Sequence, residues 1–204
     1  MNFLAHVFIS SASDGEIVGA LLGDFVKGRA KDEYPDEVRR GIELHRAVDS
    51  FTDSHDLTVD SRRLFPPERR RVSGILIDVV NDHFLASNWD SFSDVSLEAF
   101  AARVYAACDN HRELLPERFQ KMFPYMRQEN WLSAYRELSW IELTLSRMEQ
   151  RRNGRIALAA GIHDIRENYL ELERNFLSFF PQVIHFAAEM NRKSELGGIE
   201  SPSK

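Results

Sequence analysis

The chain has 204 residues, 43% of them hydrophobic, and a formal net charge of −6. This balance is typical of one soluble globular domain; it excludes a disordered or fibrous chain and argues against nucleic acid as the main ligand, which normally requires a basic excess. No apolar run reaches the roughly 18 residues of a membrane span, and the single cysteine, Cys108, has no partner for an internal disulfide, so we expect a cytoplasmic protein without membrane association.

Apolar residues recur at helical spacing along almost the whole chain, without the alternation of strands. Ser13 and Glu16 form a capping box that predicts a helix over residues 14–26. Pro35 suits the first position of a second helix, which ends near Thr52.

A third helix is predicted over residues 67–87, and its middle is apolar almost all round, so it should be central and buried. Further helices are predicted over residues 97–109, 139–152 and 156–180, the last stopped by Pro181, with short helices over 116–135. We therefore predict one all-α domain, a bundle of eight to ten helices over residues 1–192, followed by a disordered tail over 193–204.

Polar groups interrupt these apolar helices at spacings that packing alone does not require. His45 and Asp49 are four residues apart and share a helix face, as do Asp78 and Asp82, with His83 adjoining. Carboxylates in so apolar a helix must be ion-paired, hydrogen-bonded or bound to a cation. Any single pair of this kind is most often an ordinary helix contact, so both interpretations stay open here.

Asp24 and His6 are two more polar side chains in apolar surroundings. Together with the pairs they make an imidazole and carboxylate donor set, which suits Mn²⁺, Fe or Zn²⁺ and favours Mn²⁺ as oxygen ligands increase. A structural zinc site of the cysteine type is excluded, because the set contains no thiolate. Cys108 itself is interpreted as a small buried hydrophobic residue.

Four segments in order, residues 1–6, 23–28, 41–53 and 78–85, resemble the acyl carrier protein phosphodiesterases, and the resemblance extends over about residues 1–190. It implies an HD-domain-like, all-α hydrolase that works with Mn²⁺. Such enzymes remove the 4′-phosphopantetheine arm from holo-acyl carrier protein by cleaving its phosphodiester bond to a serine. The adjacent dyad here, Asp82 and His83, reverses the His-Asp order of the HD phosphohydrolases.

The resemblance also implies roles for individual residues. The metal ligands would come from Asp24, Asp78, Asp82, His83 and His6. His45, oriented by Asp49, would protonate the serine oxygen as it leaves. Lys27 and Arg46 would hold the phosphate, although both could equally be ordinary surface cations.

Clustered arginines suggest where an acidic carrier protein could dock. The first group is Arg62, Arg63, Arg69, Arg70 and Arg71, and the second is Arg147, Arg151, Arg152 and Arg155. Solvated helix faces are the other interpretation, particularly for the second group. Most aromatic residues should belong to the core, while some could line a slot for the arm.

Two other functions fit parts of the same pattern. The first is a phosphohydrolase of a small phosphate ester or nucleotide, and the second is a helical module that binds an acidic partner without catalysis. The predicted burial of Asp78 and Asp82 argues against the second, since a binding surface gives no reason to bury carboxylates.

Overall fold

The computed structural model describes residues 1–151 and 156–197. Within these ranges the chain forms eleven α-helices and no strand, which confirms the predicted all-α class. The helices are α1 (Phe3–Ile9), α2 (Asp14–Leu22), α3 (Asp36–Ser54), α4 (Asp56–Arg63), α5 (Ser73–Ser87), α6 (Leu97–Asn110), α7 (Glu117–Gln128), α8 (Trp131–Ala134), α9 (Leu138–Arg151), α10 (Gly161–Glu167) and α11 (Tyr169–Gly197). Short 3₁₀ turns lie at Gly28–Glu33, Pro67–Arg69, Trp89–Ser91 and Arg112–Leu114.

Helices α2 and α3 pack against each other so closely that their backbones touch. A Cβ atom on Gly19 would lie 2.1 Å from the Val38 carbonyl oxygen, and one on Gly41 would lie 2.3 Å from the Glu16 carbonyl oxygen. Only glycine allows this approach, because any larger residue would push the two helices apart. The pairing brings the end of α2 against the middle of α3, where the candidate site is built.

Helix α5 lies in the centre of the fold, as its sequence predicts, and most of its side chains are buried. Asp82 of this helix accepts hydrogen bonds from the backbone N–H groups of Leu4, at 2.7 Å, and Ala5, at 3.1 Å. These are N–H groups of the first turn of α1, which have no partner within their own helix. Asp82 therefore caps α1 and fixes that helix onto α5.

Two predicted helix starts are confirmed by their caps, and one predicted helix is divided. The Ser13 hydroxyl accepts a hydrogen bond from the Glu16 N–H, and the Ser96 hydroxyl accepts one from Ala99. The predicted helix over residues 67–87 is instead a 3₁₀ turn followed by α5. Its turn is held to α10 by the ion pair of Arg69 with Asp164, which separates it from the helix that follows.

The prediction that Pro181 ends a helix over residues 156–180 is wrong. The break lies at Asn168, whose side-chain amide and backbone N–H both bond to the Asp164 carbonyl at the end of α10. Pro181 lies inside α11, which continues because Phe180 and Val183 are fully buried on either side of it. Burying such side chains yields about 2 kcal/mol each, enough to offset a missing helical hydrogen bond.

Helix α11 runs through Gly197, so the first residues of the predicted disordered tail are helical. Residues 198–204 of that tail lie outside the described part of the chain. In the ranges that are described, no helix combines the length and the apolar composition needed to cross a bilayer.

Candidate active site

Two histidines and one aspartate meet where α1 faces α3. His6 Nε2 lies 3.0 Å from one carboxylate oxygen of Asp49, and His45 Nε2 lies 3.2 Å from the other. Ligand atoms of all three residues lie within 4.8 Å of one another. Among the described residues, this is the one group of three or more potential ligands so closely spaced.

The orientation of His45 is fixed by the end of α2. Its Nδ1 lies 2.7 Å from the Ala20 carbonyl oxygen, so the N–H is on Nδ1 and Nε2 faces the cluster. Gly23 makes room for the ring, since a Cβ atom at that position would lie 2.2 Å from His45 Cγ. The i, i+4 spacing on α3 then places Asp49 beside Nε2, as the sequence predicts.

The cluster shifts the pKa values of its members in opposite directions. Burial disfavours a charged His45, but its close contacts with the Asp24 and Asp49 carboxylates outweigh burial and raise the pKa of the imidazole to about 9. Burial and the neighbouring His45 charge lower the pKa of His6 to about 4, although Asp49 acts against them. Burial acts to raise the pKa of Asp49, but its contacts with both histidines hold it well below the usual value. At neutral pH the cluster therefore holds one proton more than two neutral imidazoles and a carboxylate would carry.

Asp24 lies at the edge of this cluster, on its solvent side. Its Oδ1 is 3.7 Å from His45 Nε2, and its pKa is lowered chiefly by that histidine. The Asp24 side chain is 67% exposed and that of Asp49 is 39% exposed, whereas both histidines are buried. Solvent therefore reaches the site from the side of its carboxylates, whereas its imidazoles are shielded from solvent.

The donor set fits a divalent cation. Neither ring nitrogen of the buried His6 has a hydrogen-bond partner in the described structure, because the approach of Nε2 to Asp49 lacks hydrogen-bond alignment. A buried polar atom without a partner costs free energy unless something else satisfies it. Two imidazole nitrogens and a carboxylate at this spacing are common ligands of Mn²⁺, Fe²⁺ and Zn²⁺.

Asp78 lies next to the cluster but is bonded elsewhere. The α-amino group of Met1 donates a hydrogen bond to Asp78 Oδ1 at 2.8 Å and lies 3.5 Å from Asp49 Oδ1. The amino group thus connects the two carboxylates, and Asp49 is the one that contacts the histidines.

The structure does not bring Asp82 or His83 into the cluster. The carboxylate of Asp82 is occupied as the cap of α1. Both ring nitrogens of His83 have other partners, with Nδ1 at 2.9 Å from the Tyr135 carbonyl and Nε2 at 2.9 Å from the Tyr169 hydroxyl. Both residues therefore have structural partners that account for their burial.

The two cations predicted to hold phosphate lie in different situations. Arg46 donates hydrogen bonds to the backbone carbonyls of Val26 at 2.6 Å and Gly28 at 3.0 Å, so it fixes the loop that follows Asp24. Lys27 lies in that loop, is exposed, and forms no ion pair in the described ranges.

Three arginines of the first group are paired within the chain. The pairs are Arg62 with Asp53, Arg63 with Asp60 and Arg69 with Asp164. Arg70 and Arg71 are exposed and, as far as the chain is described, form no ion pair.

A cleft of about 330 Å³ is lined by residues of α7, α8 and α9 and by Asp24 and its neighbour Phe25. Such a volume is in the range of small-molecule sites. It is lined by Asn2, Phe3, Asp24, Phe25, Arg118, Met122, Trp131, Tyr135, Trp140, Thr144, Arg147, Met148 and Arg151. The aromatic slot expected from the sequence thus has a counterpart beside the cluster.

Three arginines give this cleft a cationic wall. Arg147 and Arg151 belong to the second predicted group, whose other members, Arg152 and Arg155, lie outside the described residues. Arg118 is absent from the sequence predictions, because no local signal distinguishes it from other exposed arginines. Its position beside Asp24 depends on the packing of α7 against the loop after α2, seen in the edge-on contact of Phe25 with Phe119.

Comparison with known proteins gives a consistent result. The family model described as acyl carrier protein phosphodiesterase matches residues 1–183, a range that includes the cluster and the cleft. Relatives named acyl carrier protein phosphodiesterase include proteins of Yersinia enterocolitica, 40% identical over 93% of this chain and 98% of the relative, and Pectobacterium atrosepticum, 38% identical over 92% and 97%. The protein of that name from Photorhabdus laumondii is 36% identical over 92% of this chain and 95% of its own. No solved structure matches the chain significantly.

Proposed function

The chain belongs to the acyl carrier protein phosphodiesterase family, and we propose that it hydrolyses the phosphodiester between 4′-phosphopantetheine and a serine of holo-acyl carrier protein. The products are the apo carrier and free 4′-phosphopantetheine. The observation that supports this most directly is the cluster of His6, His45 and Asp49, which contacts Asp24, a residue that also lines a cleft of arginines and aromatic residues.

The proposal includes a divalent cation, Mn²⁺ in the first instance, held by His6 Nε2, His45 Nε2 and Asp49. Asp24 is the further carboxylate on the open side. This set differs from the one predicted from the sequence, since Asp82 and His83 have other partners and Asp78 bonds to the Met1 amino group. When bound, such a cation supplies positive charge to the phosphoryl oxygens and lowers the pKa of water.

The residues of the chain prepare the site for this chemistry. The Ala20 carbonyl fixes the tautomer of His45, so that Nε2 is directed at Asp49. Asp24, whose pKa is lowered by His45, is ionised at neutral pH, and in this proposal it would accept a hydrogen bond from the attacking water. The role of acid, predicted from the sequence for His45, is excluded by this assignment because a nitrogen that binds a cation cannot carry a proton.

The carrier protein is recognised in part by charge. Acyl carrier proteins are acidic, so exposed arginines without an internal partner would attract and orient them. Arg70 and Arg71 meet that description among the five arginines predicted to bind the partner. Arg62, Arg63 and Arg69 contribute less in this proposal because their charges are paired within the chain.

The test is the conversion of purified holo carrier to apo carrier, followed by mass spectrometry as the loss of one 4′-phosphopantetheine group. We expect conversion with Mn²⁺, none after chelation, and none with Asp49→Asn. Asp36→Asn is the matched control, because Asp36 is an exposed carboxylate at the start of the same helix.

Three results would contradict the proposal. Full turnover in the presence of chelator would show that the reaction does not need the cation. Full turnover by Asp49→Asn would show that it does not need the cluster. Faster hydrolysis of free nucleotides than of holo carrier would favour a phosphohydrolase of small esters instead.

A further inference from the structure

The cleft beside the cluster contains more recognition chemistry than hydrolysis of a simple diester requires. Its wall combines the rings of Trp131, Trp140 and Phe25 with the guanidinium groups of Arg118 and Arg147. Asp24 also lines the cleft, and its carboxylate lies 3.7 Å from His45. The cleft therefore lies beside the cluster, with Asp24 between them.

Arg118 is the cleft cation that lies beside Phe25, the neighbour of Asp24. Its guanidinium lies over the ring of Phe25, 5.6 Å from the ring centroid, and Phe25 directly follows Asp24 in the chain. Cation–π contact orients a guanidinium without neutralising it. In the described part of the chain Arg118 forms no ion pair, so its charge is available to an anion.

Arg147 has different contacts from Arg118 and a different role. It forms a two-pronged ion pair with Glu129, at 2.6 and 3.0 Å, and its guanidinium lies 5.3 Å from the centroid of Trp140. The Glu129 carboxylate also accepts a hydrogen bond from the Trp131 indole at 2.8 Å. This network fixes two indoles in the wall, so Arg147 is a positioning residue for an apolar surface, whereas the charge of Arg118 is not paired within the described part of the chain.

We infer that this cleft holds the 4′-phosphopantetheine arm, with Arg118 binding its phosphate and Trp131 and Trp140 packing against its chain. The inference rests on the proposed function and adds the residues that recognise the arm. The arm has a carbon with two methyl groups near its phosphate, and methylene groups between its two amides. These apolar parts suit aromatic faces flanked by polar groups. Its phosphate lies at one end of the arm, and Arg118 beside Phe25 and Asp24 offers that phosphate a guanidinium.

The binding of free 4′-phosphopantetheine tests this directly, because Trp131 and Trp140 report on the cleft by fluorescence. Trp89, the third tryptophan, is buried outside the cleft and gives a constant background. We expect binding of 4′-phosphopantetheine to change the tryptophan fluorescence. Arg118→Glu should weaken the affinity for this ligand by about tenfold or more, a change of roughly 1.4 kcal/mol in the free energy of binding. Arg112→Glu is the matched control, an exposed arginine one turn before α7 that does not line the cleft.

Pantetheine, which lacks the phosphate, separates the two parts of the inference. Arg118→Glu should leave its affinity unchanged, whereas Trp140→Ala should weaken pantetheine and 4′-phosphopantetheine alike. Circular dichroism verifies that Trp140→Ala is folded, and Thr144→Phe, which fills the cleft from α9, gives a second variant that should weaken both ligands. Equal affinity of the wild type and of all three cleft variants for 4′-phosphopantetheine would overturn the inference, as would the absence of binding.

Turnover of holo carrier distinguishes a failure of this inference from a failure of the proposed function. If Arg118→Glu and Trp140→Ala convert the carrier with wild-type KM and kcat, the cleft does not hold the arm although the function stands. If the wild type binds 4′-phosphopantetheine in the cleft but does not convert the carrier, the arm site stands and the function fails.

Discussion

The imidazole rings of His6 and His45 are stacked, with their centroids 3.7 Å apart and their planes inclined by 15°. Both Nε2 atoms lie close to the carboxylate of Asp49, one near each oxygen. Stacked imidazoles so close together cannot both be charged without repulsion. Burial and this repulsion lower the pKa of His6 to about 4, whereas Asp24 and Asp49 raise that of His45 to about 9. The extra proton is therefore held by His45, whose Nε2 is one of the atoms that we propose as cation ligands.

Cation binding should therefore release a proton. His45 must lose its proton to become a ligand, so Mn²⁺ competes with H⁺ below about pH 9. Calorimetry at pH 7.5 in buffers of different ionisation enthalpy should show release of about one proton per Mn²⁺ bound. His45→Ala should lose both the binding and the release, whereas His185→Ala, which changes an exposed histidine on α11, should keep them. Binding without proton release would contradict the assignment of His45 as a ligand.

The stability of the metal-free protein should depend on the same proton. The pKa of His45 is raised from the unfolded value of about 6.5 to about 9, so the folded state holds more protons than the unfolded state between these values. Its contribution to stability is complete below about pH 6.5 and is lost as the pH rises through about 9.

Replacing Asp24 tests the origin of this shift. Asp24→Asn should lower the pKa of His45, because that carboxylate helps to raise it, and should flatten the fall in thermal stability at alkaline pH. The measurements are an NMR titration of His45 and melting curves in chelator, with Asp36→Asn as the control. An unchanged His45 titration in Asp24→Asn would show that the contact at 3.7 Å has no electrostatic effect.

The sequence predicts part of the site because part of it is local. His45 and Asp49 meet through a single helical turn, which spacing alone indicates. The contact of His6 with Asp49 joins residues 43 positions apart and depends on how α1 lies across α3, which periodicity does not specify. Its apolar surroundings in the sequence brought His6 into the candidate set, but only the fold places it beside Asp49.

Asp82 shows why burial alone does not identify a ligand. A carboxylate in an apolar helix needs a partner, and the sequence offers a cation as one solution. The fold provides another, the free N–H groups of α1, which a sequence cannot reveal before the helices are docked. Pro181 is a similar case in the fold. Proline usually ends a helix, but here the helix continues because the neighbouring side chains on both sides are buried.

Asp82→Ala should thus affect stability before it affects metal binding. Two N–H groups at the buried start of α1 would lose their acceptor, at a cost of about 2 kcal/mol. We expect a lower denaturant midpoint and one Mn²⁺ still bound per folded molecule, measured by equilibrium dialysis. Loss of Mn²⁺ from a fully folded Asp82→Ala protein would instead identify Asp82 as a ligand.

The exposed arginines that follow α4 should act on carrier encounter and not on the chemical step. Arg70→Glu combined with Arg71→Glu should raise KM for holo carrier by about tenfold and weaken its dependence on salt, with kcat unchanged. Arg39→Glu is the control, since Arg39 is paired with Asp36 on another helix. A wild-type KM in the double variant would exclude these two residues from the docking surface.

Gly23→Ala gives a purely steric test of the site. The backbone at Gly23 is helical, with φ −51° and ψ −40°, so alanine is allowed there and the conformation itself is not strained. Its Cβ would nevertheless lie 2.2 Å from His45 Cγ and 2.6 Å from Nδ1, so the imidazole must move away from Ala20 and Asp49. A displacement of about 1 Å at a reacting centre costs about 100-fold in rate, and we expect a loss of that order in kcat/KM for holo carrier.

Gly74→Ala is the matched control, because its nearest neighbour, the Arg62 side chain at 3.5 Å, leaves room for a methyl group. That variant should keep full activity and gain about 0.5 kcal/mol in stability from helix propensity. Equal activity of Gly23→Ala and the wild type would mean that His45 need not occupy its position against Ala20, and the proposed ligand set would fail with it.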